Sequence, residues 1–141
     1  MIEVDSWMDS FVRSLGRQSK KWDEDYINAS LNDRDQDPFD GEWVSLDKKL
    51  EKEKSKISSS EFDSISEKLR KVTRSVFIKI MKNTGSSDLA GYVFDDFDLI
   101  YLALLMKIRD GFLFSLIYSY MNGKIPTNEM ERIEHNPTGL Y

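Results

Sequence analysis

The residues able to do chemistry are few in this chain, and their placement narrows what they can do. There is one histidine, His135, and no cysteine. Disulfides, thiolate zinc sites and cysteine nucleophiles are therefore excluded. His135 shares its C-terminal stretch with Pro137 and Gly139, which resist regular structure, so residues 135–141 are expected to fray. A base carried there is not held with the precision that catalysis requires. No G-x-S-x-G elbow, Walker loop or dinucleotide fingerprint occurs, and the glycines are scattered. No catalytic residue, metal ligand or cofactor is assigned, and the chain reads as a binding protein rather than an enzyme.

The carboxylates are the next candidates. Asp33, Asp35 and Asp37 have the spacing that opens a calcium-binding loop, and calcium favours such clustered oxygens. The pattern then fails: Pro38 stands where glycine must make the sharp turn, and Val44 where a bidentate glutamate belongs. Asp95, Asp96 and Asp98 lack the partner histidine or ligand set that acid–base work needs, and read as the restart of a helix. Lys48 to Lys56 is interleaved with Glu51 and Glu53 and has no nearby aromatics, which describes a solvated face better than a phosphate site.

What remains is charge placed beside aromatics. The net charge of −5 is unevenly spread: residues 1–45 hold 11 acids against 5 bases, residues 46–83 hold 6 against 11, and residues 84–141 hold 8 against 4. A general nucleic-acid binder would show a dominant basic face, so a basic protein partner fits better. Trp7, Trp22, Trp43, Tyr26 and Phe39 flank or interrupt the acidic first third, and aromatics beside charge are common at protein interfaces. Trp7 lies on an apolar helical stripe and belongs to a core. Trp43 lies off any stripe and is the better contact residue.

These groups must be positioned by helices, because no window alternates in the manner of a strand. Val4, Trp7, Met8, Phe11 and Leu15 follow helical spacing after a start at Ser6, and Trp22, Tyr26 and Ile27 resume the stripe beyond Gly16. One kinked helix or two short ones satisfy that pattern. Residues 32–45 read as a solvated acidic loop, and Leu46 to Ile57 as a short exposed helix. Ser58 and Glu61 have capping-box spacing ahead of Phe62, Ile65, Leu69, Val72, Val76 and Ile80, and Asn83, Thr84 and Gly85 close that helix. Ser87 is the expected cap of the segment opening with Leu89, Tyr92 and Val93. Phe97 to Ile108 is apolar nearly all round, Asp110 can cap Phe112 to Met121, and Pro126 stands beyond as a stop. Lys107, Arg109 and Asp110 interrupt this apolar stretch, which argues against a membrane span. Residues 127–134 add at most a last turn or two. The expected fold is all-α, one domain over residues 1–141, with five or six helices and a C-terminal antiparallel helical hairpin. The start of the chain carries Glu3, Asp5 and Asp9 and lacks the basic region and apolar run of an export signal, so the expected compartment is the cytoplasm.

The segment YVFDDFDLIYLALLMKIRDGFLFSLIYSYMNGKIP, residues 92–126, resembles the C-terminal helical hairpin of small immunity proteins from bacterial polymorphic-toxin and contact-dependent growth inhibition systems. The likeness rests on Asp95, Asp96, Phe97, Asp98 and Leu99 leading into Leu102 to Leu105, on the turn at Asp110, and on Tyr120 and Asn122 to Pro126. These positions shape a fold and transfer no catalytic role. The resemblance implies a cytoplasmic protein that binds and neutralises one cognate toxin C-terminal domain, often a nuclease, by covering a functional surface. An acidic inhibitor suits a nuclease, which must be basic where it holds its substrate. The contact residues expected on this reading are Asp33, Asp35, Asp37, Asp40, Glu42 and Trp43 from the acidic first third, with Asp95, Asp96 and Asp98. The competing expectation is a helical adaptor or regulator that binds a cellular protein through an apolar groove.

Overall fold

A computed structural model describes residues 2–141, and among these residues it contains six α-helices and no strand. Helix α1 (Ile2–Gln18) begins upstream of the expected cap at Ser6 and buries Val4, Met8, Phe11, Val12 and Leu15 on one stripe. Gly16 does not end it. A β-carbon at Gly16 would sit 3.2 Å from the Lys79 side chain, and Asn83 Nδ2 donates to the Gly16 carbonyl at 2.9 Å. The small residue therefore serves a close helix approach. The chain breaks later, through a short 3-10 turn at Ser19–Lys21, and α2 (Glu24–Arg34) starts where the Asp23 carboxylate accepts the Tyr26 amide at 2.8 Å.

The expected acidic loop over residues 32–45 is largely helix. Helix α2 runs to Arg34, and α3 (Phe39–Lys54) begins five residues later. The α3 start is supported by Asp37, whose Oδ1 accepts the Gly41 amide at 3.0 Å. Helix α3 buries only Phe39, Leu46 and Leu50, a thin edge that acidic and basic neighbours conceal in the sequence. Its lysine-rich end is solvated, with Glu51–Lys54 and Glu53–Lys56 ion pairs one turn apart.

Helix α4 (Ser59–Thr84) matches its sequence signals. The Ser58 hydroxyl accepts the Glu61 amide, and Gly85, at φ +70°, closes the helix with its amide on Met81 O at 2.9 Å. Helix α5 (Ser87–Leu105) follows after two residues and is capped by Ser86 rather than Ser87. It runs unbroken through Asp95–Asp98, where a restart was expected. This helix is the centre of the fold: Leu89, Ala90, Val93, Phe97 and the run from Leu99 to Leu104 are at most 1 % exposed. Its most extensive partner is α4. Helix α6 (Gly111–Met121), capped by Asp110, returns antiparallel to α5 and brings Tyr120 against Phe97 with ring centres 5.2 Å apart. No described helix is long and apolar enough to cross a membrane.

Residues 122–141 contain turns but no helix, so the expected last helical turn is absent. Nor do residues 135–141 fray as expected. The Ile133 amide donates to Ser115 Oγ at 3.0 Å, Tyr141 Oη donates to the Ile108 carbonyl at 2.5 Å, and the Arg109 guanidinium lies 5.6 Å from the Tyr141 ring centre. Aromatic packing and satisfied backbone groups hold this segment despite its proline and glycine. His135 is exposed on it.

Candidate functional site

The acids singled out in the sequence fall into three groups once the helices assemble. The first is internal. Asp96 is fully buried and accepts four hydrogen bonds from three other helices: Arg34 Nη1 at 2.7 Å, Arg34 Nη2 at 2.8 Å, Trp43 Nε1 at 2.9 Å and Tyr120 Oη at 2.6 Å. Burial opposes the Arg34 charge, but the attraction and hydrogen bonds of Asp96 outweigh it and hold the guanidinium more firmly protonated than usual. Burial and the adjacent Asp96 charge push the Tyr120 hydroxyl well above its ordinary value, so it serves as a neutral donor. The place expected for Asp96 on a contact surface is thus taken by a core role, because a carboxylate with four acceptor positions filled at zero exposure has nothing left to offer a partner.

The second group braces the C-terminal segment. Asp33 Oδ1 accepts the Asn128 amide at 2.6 Å, and Asn128 in turn accepts the Phe39 amide at 2.8 Å and donates to the Asp33 carbonyl at 3.0 Å. Glu42 is held by both Nη atoms of Arg132, at 2.8 and 2.9 Å. These contacts hold residues 127–132 against the connection between α2 and α3.

The third group faces outward. Asp35, Asp37, Asp40 and Asp95 are exposed, and Asp98 is half-buried. Asp35 accepts the Tyr92 hydroxyl, and this hydrogen bond, with burial, holds the phenol above its ordinary value; Tyr92 lies over Arg34 with 5.1 Å from its ring to the guanidinium. Phe39 flanks the same guanidinium at 4.7 Å. Between these elements lies a cavity of about 210 Å³ lined by Arg34, Phe39, Asp40, Trp43, Val44, Tyr92 and Asp95. Asp33, Asp35 and Asp37 do not converge as metal ligands would, and no group of acidic and histidine side chains gathers that way among the described residues.

From the cavity the negative surface continues along the seam between α3 and α5. Partial burial, then the charges of Asp96 and Asp47, raise the Asp95 carboxyl above its ordinary value, with Arg34 opposing. Burial again leads for Asp98, where Lys54 opposes and Asp95, Asp47 and Glu51 add to the rise. Sequence reasoning missed Asp47 and Glu51, which share a helical face of α3 with Asp40 and Trp43 at steps of three and four. That periodicity was the available signal, hidden by the lysines between them. It also missed Val44, which is 40 % exposed beside the cavity, and Arg34, counted only as one more base.

The other aromatics of the first third are structural. Trp22 is 7 % exposed and its Nε1 donates to the Gly123 carbonyl at 3.0 Å, while Trp7 stacks on Phe11 with centres 4.6 Å apart. Trp43 has both characters, since its indole nitrogen anchors on Asp96 and its ring lines the cavity.

A family model described as Immunity protein PIM1 matches residues 4–127 of the chain. No curated protein and no solved structure matches it.

Proposed function

The chain belongs to the Immunity protein PIM1 family, and on that premise we propose that it binds one cognate toxin domain, a basic nuclease, and neutralises it by covering a functional surface. The action is stoichiometric binding without catalysis, and its place is the cytoplasm of the bacterium that makes the toxin, as a member of a contact-dependent or other polymorphic-toxin system. The observation that carries this reading is the outward acidic surface of Asp35, Asp37, Asp40, Asp95 and Asp98 around an aromatic cavity. A nuclease must be basic where it holds its substrate, and complementary charge speeds encounter and fixes register. Asp33 and Glu42 contribute through shape, by seating the segment that borders this surface.

The test is protection. Cells producing the toxin domain encoded next to this chain's gene should survive when this chain is co-produced and die without it. The purified domain should lose nuclease activity at one equivalent, and association should weaken as salt rises, because exposed charges are screened over about 8 Å at physiological ionic strength. Death despite full co-production would overturn the immunity reading. Protection against a domain without nuclease activity would overturn only the assignment of the toxin's chemistry.

A further inference from the structure

We propose that the cavity between α2, α3 and α5 is a socket for one arginine side chain presented by the bound protein. The proposal rests on the preceding reading for the existence of that protein and names what its contact would be. Three features define the occupant. The space, about 210 Å³, is far above the roughly 10–15 Å³ that admits a single water, and suits one long side chain. Its walls are aromatic and apolar, from Phe39, Trp43, Tyr92 and Val44. Its rim carries Asp40 and Asp95, both exposed and neither ion-paired among the described residues.

The socket disfavours an anion although a guanidinium lines it. Arg34 lines it, but the charge of Arg34 is spent on Asp96, and the two rim carboxylates leave the field negative. The burial and neighbouring charges that raise the Asp95 carboxyl describe an acid that gains from an arriving cation. Guanidinium is planar and weakly hydrated and stacks on aromatic faces, so aromatic walls beneath a carboxylate rim favour arginine over the compact, strongly hydrated ammonium of lysine. Arg34 Nε is the sole buried side-chain polar atom left without a hydrogen-bond partner among the described residues. A main-chain carbonyl of the loop that carries the arginine would be the kind of acceptor that Nε lacks.

The experiment titrates the isotope-labelled full chain with N-acetyl-arginine amide and follows the indole N–H resonances. Trp43 Nε1 donates to Asp96 beside the cavity, whereas Trp22 Nε1 donates to Gly123 elsewhere and serves as the internal reference. A saturable shift of the Trp43 signal is expected, with the Trp22 signal still and a dissociation constant in the millimolar range, which is what about 15 non-hydrogen atoms supply. Asp40→Asn with Asp95→Asn should weaken it about fivefold, the combined worth of two exposed ion pairs, and both positions are exposed enough to leave the fold intact. The proposal is overturned by an absent shift, by equal binding of N-acetyl-norleucine amide, by tighter binding of the lysine analogue, or by an unaffected double variant. No toxin enters this titration, so the socket and the immunity reading fail or stand separately.

Discussion

Arg34 and Asp96 meet through two parallel hydrogen bonds, 2.7 and 2.8 Å long, across 62 residues of sequence, at a depth where neither side chain is more than 3 % exposed. Two-point pairing of this kind fixes orientation as well as distance. It joins the end of α2 to the middle of α5, and the donors Trp43 and Tyr120 add α3 and α6 to the same carboxylate.

Asp96→Asn should therefore cost about 3–5 kcal/mol, because it leaves a buried guanidinium without its counter-charge. Chemical denaturation at neutral pH measures this directly. A loss under about 1 kcal/mol would mean that the pair is more accessible to water than its burial indicates.

Gly123→Ala should destabilise more than Gly139→Ala. Both positions have positive φ, +75° and +72°, and each substitution carries a backbone cost of about 1–3 kcal/mol. Only at Gly123 does an added β-carbon also meet a neighbour, Gln18 Oε1 at 2.7 Å, at the residue whose carbonyl holds Trp22. Equal melting temperatures for the two variants would show that Gln18 moves aside freely.

Leu104→Ala and Ile117→Ala should each cost about 2–5 kcal/mol, as expected when a fully buried aliphatic side chain leaves a cavity. Both residues are 0 % exposed. Unfolding of either variant at the wild-type denaturant midpoint would remove it from the core.

Asp98→Asn should stabilise slightly at neutral pH. Burial, with Asp95, Asp47 and Glu51, holds the Asp98 carboxyl above its ordinary 3.8. A raised acid contributes stability that is present below 3.8 and lost as pH rises through the folded value, so its charge is a burden at pH 7. The amide removes that burden, and the gain should vanish in melts recorded below pH 3.8. A loss at neutral pH would show that attraction to Lys54 dominates. The same substitution should weaken toxin binding if Asp98 is kept for its charge.

The helices that announce themselves in the sequence do so through local chemistry. Ser58 with Glu61, Gly85, and Asp110 each act within four residues, and α4 and α6 emerge where those signals stand. The end of α2 and the first half of α3 are obscured because their buried edges are thin and include a charge: Arg34 looks like any surface base until its partner is known. Asp96 looked like a helix start for the same reason, since an acid near an apolar run has a cheap local explanation and its true partners lie on three other helices. The outward acids Asp35, Asp37, Asp40, Asp95 and Asp98 were legible as residues. Their grouping around a cavity was not, because it depends on how α2, α3 and α5 meet.

The four-bonded carboxylate of Asp96 also bears on the order in which the chain folds. Helices α4 and α5 are joined by two residues and share the most extensive interface, so their pairing closes little loop entropy and can form early. Asp96 is not fully satisfied until α2, α3 and α6 have all arrived, so its bonds are expected to complete after the rate-limiting barrier. In stopped-flow kinetics Asp96→Asn should leave refolding nearly unchanged and accelerate unfolding, a φ-value near zero. On this view the buried pair acts as a late clasp that sets how long the native state lasts once it has formed.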